Sequence, residues 1–343
     1  MRKLNKLWFG SSMFLLLFIV SACSSEDSAN SDAPESSTDD DVFEINIAYN
    51  NQPDEPVGIL AEKWKELVEE ESDGRIKFNL YPSGQLGAEQ DVIEQARMGN
   101  NVITLGGYGF LMNYVPDAGI LDAPYIVDSF DDFHYLASTD WFEEIKSDLR
   151  EENIELLIPD VAYGERHLLT NEKVLTPEDL KGKKIRVPDT QIAIETFEAI
   201  GASPTPTPLN DLYTSLQQGL VVGAENPLPV LQGVQAQEVS KNLSLTGHQR
   251  FVLAWMGGTD YIDSLPDDIL EILMDTGLEA RDYGEEVLEE QTEEILTEFE
   301  EQGVEVHEVD ESLFKESVKD VYDQFPEWTP GLYDTLQDLL EDR

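Results

Sequence analysis

Phe43-Glu44-Ile45-Asn46-Ile47-Ala48-Tyr49 alternates apolar and polar side chains, the period of a half-buried strand. Val57, Leu60, Trp64, Leu67 and Val68 then recur at steps of three and four, the stripe of a core-facing helix that Asp73-Gly74 closes. Arg75 to Tyr81 alternates again, Ala88 to Met98 reads as a helix, and Asn101 to Leu105 reads as a buried strand. Strand and helix exchange places in this way through Val222, which predicts βαβ units and a parallel sheet with helices on both faces, an α/β fold.

The last third changes character. Ile269, Leu273, Ala280, Val287, Ile295 and Phe299 form a helical stripe within Pro266 to Gln302, a segment with fifteen acids and one base. Such a helix, if continuous, is about 55 Å long at about 1.5 Å per residue. Bending at Gly277 and Gly284 would instead make it two helices. Val304 to Val309 alternates as a strand, and helices are expected over Ser312 to Gln324 and Pro330 to Leu340.

The N-terminus stands apart from this body. Arg2, Lys3 and Lys6 precede an apolar run from Met13 to Val20 that is too short to span a bilayer and reads as a secretory signal over residues 1–22. Val20-Ser21-Ala22-Cys23 resembles a bacterial lipobox, which implies lipidation at Cys23, the only cysteine of the chain. Residues 23–41 then carry seven acids and no base among small polar residues, the composition of a disordered tether. These features predict an extracytoplasmic protein held to the membrane through its lipid.

Charge narrows the partners. The chain has 343 residues with 22 Lys and Arg against 71 Asp and Glu, a formal charge of −49. Nucleic acid needs neutralising Lys and Arg, and an anionic membrane surface repels such a skin, so the charge argues against nucleic acid and disfavours direct contact with such a surface. Enzyme motifs are missing too. The chain has no HExxH, GxSxG, Walker A or GxGxxG sequence, and its His134, His167, His248 and His307 have no metal-ligand spacing. No cofactor, metal or catalytic residue is therefore expected. Gly106-Gly107-Tyr108-Gly109 follows a strand and is a weak candidate for cradling a phosphate.

With bases so scarce, an arginine among apolar neighbours is informative. Arg186 sits between Ile185 and Val187 at the end of a strand that Pro188 stops, where open α/β sheets place their ligands. It either offers a ligand carboxylate two parallel hydrogen bonds or pairs with one of the acids. Arg166, in Tyr163-Gly164-Glu165-Arg166-His167, begins a strand after a break and carries the same alternatives.

Thr176 to Pro188, Gly201-Ala202-Ser203-Pro204-Thr205-Pro206 and Tyr213 to Pro227 together resemble the signature of DctP-type solute-binding proteins of tripartite ATP-independent periplasmic (TRAP) transporters. Tyr81-Pro82-Ser83-Gly84-Gln85-Leu86-Gly87 and Ala123-Pro124-Tyr125 match the same family in order and spacing. The resemblance implies a two-lobed periplasmic-binding-protein-like fold closing over a small organic carboxylate, a long helix spanning both lobes, and delivery to membrane permease subunits. It places one lobe at 42–163 plus 252–290 and the other at 164–251 plus 291–343.

The same resemblance gives Arg186 the ligand carboxylate, Arg166 a second contact and Asn226 a third, although Asn226 could instead cap the helix after Pro227. Asn50 and Tyr108 fall in loops that contact ligand, Leu209 stands where some relatives have an aromatic, and Trp255 is either a stacking residue or core. The ligand itself stays open between a C4-dicarboxylate, a sugar acid, a keto acid and zwitterionic ectoine. An enzyme on a two-lobed scaffold is the competing class.

Overall fold

The computed structural model describes residues 42–343. The signal, the lipidated Cys23 and the tether lie outside the described residues. Nine strands form one sheet: β1 Phe43–Ala48, β2 Ile76–Tyr81, β3 Ile103–Gly107, β4 Glu155–Thr170, β5 Lys184–Val187, β6 Ser203–Pro206, β7 Gly223–Asn226, β8 Asn242–Gly257 and β9 Glu305–Glu308. Their order is β2-β1-β3-β8-β4-β7-β5-β6, with β9 beside β8.

The expected all-parallel sheet is corrected here. β1, β2 and β3 are parallel to one another, as are β5, β6 and β7. Between these sets, β4 and β8 pair antiparallel with each other, β8 antiparallel with β3 and β4 antiparallel with β7. The physical reason is the chain path. The backbone crosses from the first half to the second in β4 and returns in β8, so the two crossing strands must run in opposite directions. Arg166 accordingly lies inside a 16-residue strand and does not begin one. The apparent break at Gly164 is a glycine at φ +105° beside a register shift, a bulge that bends the strand without ending it.

The acidic helix is a single one, Asp267–Glu301, 35 residues and about 52 Å long. Gly277 and Gly284 do not break it. A Cβ on Gly277 would come within 2.7 Å of Ile158, and one on Gly284 within 2.8 Å of Leu60, so both glycines are points of close approach to β4 and to helix Pro56–Glu71. Trp64 fills this interface, its indole N–H donating to the Leu273 carbonyl at 3.1 Å. Residues 312–324, expected as one helix, form helix Glu311–Val318 and a separate turn at Val321–Gln324. No helix among the described residues is long and apolar enough to cross a membrane.

One ionic cluster ties this long helix to the sheet. His134, on helix Phe130–Ala137, lies 2.9 Å from Asp160 of β4 and 3.2 Å from Glu285, while Arg281 donates to both Asp160 oxygens at 2.9 Å. Hydrogen bonds to Asp160 and Glu285 raise His134 to about 9 against a partial burial that lowers it. A raised imidazolium stabilises the fold fully below its unfolded pKa near 6.5 and loses that effect as pH rises through about 9. His134→Gln is expected to cost on the order of 2 kcal/mol near pH 6, allowing for screening, and almost nothing near pH 10. Urea unfolding of both proteins at the two pH values measures this.

Candidate functional site

The carboxyl ends of β5 and β7 open on a cleft between the two halves of the sheet. Arg166, Arg186, Asn226, Asn50 and Leu209 all line it. The halves touch across it: Asn210 donates to the Ser83 carbonyl at 3.4 Å and Gln249 to Asp122 at 3.1 Å.

Arg186 projects from β5, where it is opposite Thr205 of β6 and Ala224 of β7. Arg186 is 3% exposed, and its Nε and Nη2 donate to the Thr207 carbonyl at 2.9 and 2.6 Å. No carboxylate among the described residues lies within 4.0 Å of it. Burial pulls it down to about 10, which leaves it protonated at neutral pH. Of its five N–H donors, those on the Thr207 side are used and the Nη1 end remains available. Ionic pairing to a protein acid, one of the two alternatives for this residue, is not what the structure holds.

Arg166 is the one that pairs. Its Nε and Nη2 meet the two oxygens of Glu225 at 2.5 and 2.7 Å, with both side chains buried, and its guanidinium lies 4.4 Å from the centre of the Phe251 ring. Nε2 of His248 approaches the same Glu225 carboxylate at 3.2 Å, while its Nδ1 meets Thr246 at 2.8 Å. Burial alone would raise Glu225, but Arg166 and His248 outweigh it and hold the acid at about 2.

Asn226 ends β7 opposite His167 of β4. The helix after it, Leu228–Gly233, receives no side-chain cap, so Asn226 does not have the capping role. Its Nδ2 is instead buried with no acceptor among the described residues. A buried amide N–H left unpaired costs about 1–3 kcal/mol, which a ligand oxygen would recover.

Asn50 contributes differently from the expectation. In the amide orientation that satisfies both ends, its oxygen accepts the Glu89 backbone N–H at 2.8 Å and its nitrogen donates to the Gly87 carbonyl at 3.1 Å. It therefore fastens the start of helix Glu89–Arg97. Tyr108 and Trp255 do not line the cleft. Both are fully buried, Tyr108 donating its hydroxyl to the Pro159 carbonyl at 2.5 Å and packing on Phe133 and Phe142, Trp255 lying edge-on to Tyr49 and Trp64. Large flat side chains at inward positions are held by the core they complete. The Gly106 to Gly109 turn is no phosphate cradle either, since Gly107 N–H donates to Glu89 at 2.8 Å and Gly109 N–H to Asp122 at 2.7 Å.

Glu89, Asp122, Glu225, His248 and Phe251 line the cleft without having been singled out in the sequence. Asp122 carried a signal, an acid inside the apolar run Ile120-Leu121-Asp122-Ala123. No group of metal-ligating side chains converges among the described residues.

Two sheet halves joined by crossing strands, with a buried cation that no carboxylate bonds and an unpaired amide facing one cleft, fit a solute-binding receptor. The chain belongs to the bacterial extracellular solute-binding proteins, family 7, whose model matches residues 47–327, and it is the receptor component of a TRAP transporter. It is similar to a TRAP periplasmic solute-binding protein of Actinobacillus succinogenes solved with L-galactonate, at 42% identity over 88% of this chain and 100% of that one, TM-score 0.86. A second, from Ochrobacterium anthropi with bound L-fuconate, is 40% identical over 88% of this chain and 99% of that one, TM-score 0.85. The ectoine-binding periplasmic protein TeaA of Halomonas elongata is 30% identical over 66% of each chain.

Proposed function

We propose that this receptor captures a small hydroxy carboxylate of the sugar-acid class, seating its carboxylate on the Nη1 end of Arg186 with Asn226 donating beside it. The buried guanidinium of Arg186, bonded to no protein carboxylate, carries this reading. Arg166 acts mainly by holding Glu225 and the cleft wall, and Leu209 closes the apolar side. Closure hinges where β4 and β8 bulge, at Gly164 opposite Phe251. The two relatives that bind L-galactonate and L-fuconate support a sugar acid over ectoine. Calorimetry against L-galactonate, L-fuconate, C4-dicarboxylates and ectoine tests it. Micromolar or tighter binding of an aldonate is expected, and binding of ectoine alone would overturn it.

The protein is an extracytoplasmic receptor rather than an enzyme, and its lipid anchor at Cys23 belongs to the same proposal. Two acyl chains are required for lasting attachment where no polybasic patch assists. Cys23→Ser should release the protein to the medium with ligand affinity intact, as measured by fractionation of cells and by calorimetry on the released protein.

A further inference from the structure

The carboxylate-binding reading leaves two acids of the cleft without a task. Glu89 begins helix Glu89–Arg97, and Asp122 ends the turn Pro116–Asp122. Both line the same cavity as Arg166, Arg186 and Glu225. Glu89 accepts from Gly107 N–H through Oε1, and no protein donor among the described residues reaches its Oε2. Asp122 accepts from Gly109 N–H and from Gln249. A Cβ on Gly107 or Gly109 would stand 3.2 or 2.9 Å from Asp122 Oδ2, so the glycines of this turn leave the space that the carboxyl occupies.

The charges of this cavity do not balance. Glu225 already neutralises Arg166 through both oxygens, so an arriving anion meets one guanidinium, Arg186, and two carboxyls. With all of them ionised, two cations face three anions before the ligand adds its own charge. Like charges crowded into one buried cavity repel far more than in water, and closure expels the water that would screen them. Taking up a proton removes that repulsion.

We infer that Glu89 and Asp122 take up protons from solvent as a ligand carboxylate docks on Arg186, and that the pair thereby selects a monocarboxylate bearing hydroxyls and rejects a dicarboxylate. The inference rests on the carboxylate reading. A protonated carboxyl donates to a ligand hydroxyl oxygen and an ionised one accepts from a ligand O–H, so hydroxyls suit both states. A second carboxylate adds another negative charge beside the pair and demands further proton uptake, a cost that neutral Gln and Asn do not impose. Burial raises Glu89 and Asp122 each to about 7, so both exchange protons near neutrality.

The other ionisable groups facing the pair are Arg166 and Tyr163 from β4, Arg186 from β5, Glu225 from β7, His248 from β8 and Tyr108 from the turn after β3. Burial pushes both tyrosines well above 10, and Glu225 near 2 stays ionised, so neither changes charge between pH 6 and 9. The double variant leaves every one of these other groups in place.

The test is titration of the protein with L-galactonate from about pH 6 to pH 8.5, in buffers of different ionisation enthalpy, with L-malate as the dicarboxylate. Proton uptake on binding is expected, with affinity falling up to about tenfold per pH unit for each proton taken up. In Glu89→Gln/Asp122→Asn the slope should vanish and L-malate binding should appear. Asn at 122 keeps the pattern, accepting from Gly109 N–H while its amide donates to a rotated Gln249. If the double variant does not fold, proton uptake by the wild type and the slope of Glu89→Gln alone decide. Galactonate binding with no proton uptake, a slope that persists in the double variant, or continued rejection of L-malate by that variant overturns the inference and leaves the carboxylate reading standing. Failure of every carboxylate to bind at any pH overturns both.

Discussion

Arg186→Met is expected to abolish measurable binding of a carboxylate ligand while leaving the melting temperature of the unliganded protein unchanged or raised. Removing one partner of a buried, hydrogen-bonded charge pair costs about 2–5 kcal/mol, or roughly 30-fold to several thousand-fold in affinity. In the free protein the same charge is a burden, on a residue 3% exposed and pulled down to about 10 by burial that outweighs the attraction of Glu225 and Glu89. Methionine removes that desolvated charge at the cost of the two donors to Thr207 and of the attraction to Glu225 and Glu89, which burial outweighs. Arg186→Lys should keep one donor and the charge but not the planar fork, weakening binding by about 1.5–3 kcal/mol. Calorimetry for affinity and thermal unfolding for stability separate the roles. A fall in melting temperature with unchanged affinity would make Arg186 a structural residue and sink the proposed site.

Glu225→Gln should do the reverse, destabilising the free protein by about 3–5 kcal/mol, because it leaves Arg166 as a buried cation beside Arg186 with no anion bonded to either. The acid dependence follows from the same pair. Glu225 is held at about 2 in the folded protein, below its ordinary 4.5, so its contribution is present above pH 4.5 and is lost as pH falls through 2. Denaturant unfolding at neutral pH measures the loss, and the wild type should lose stability relative to the variant as pH falls from about 5 toward 2. Equal stability of the two proteins at neutral pH would show that the Arg166–Glu225 pair is dispensable.

The two substitutions separate residues that look alike in the sequence. Arg186 and Arg166 are both strand arginines near a chain irregularity, Pro188 for one and Gly164 for the other. Nothing local in the sequence distinguishes the cation that has a partner from the one that lacks it, since Glu225 lies 59 residues from Arg166. Asn226 was likewise ambiguous between a helix cap and a cleft amide until its position opposite His167 left its nitrogen unpaired.

The alternation in Phe43 to Tyr49, the stripe at Val57 to Val68 and the acidic helix from Pro266 to Gln302 were legible in the chain because side-chain period follows from backbone geometry alone, which is local. Pro188 after Arg186 marked a strand end for the same reason, a missing N–H and a fixed φ. Strand direction was not legible. The antiparallel crossing of β4 and β8, the pairing of Arg166 with Glu225, and the meeting of Glu89 with Asp122 in one cleft each join segments distant along the chain. Periodicity reports which face of an element is buried, whereas the tertiary packing decides what it is buried against, and charges in that packed space interact through distances that the order of residues does not encode.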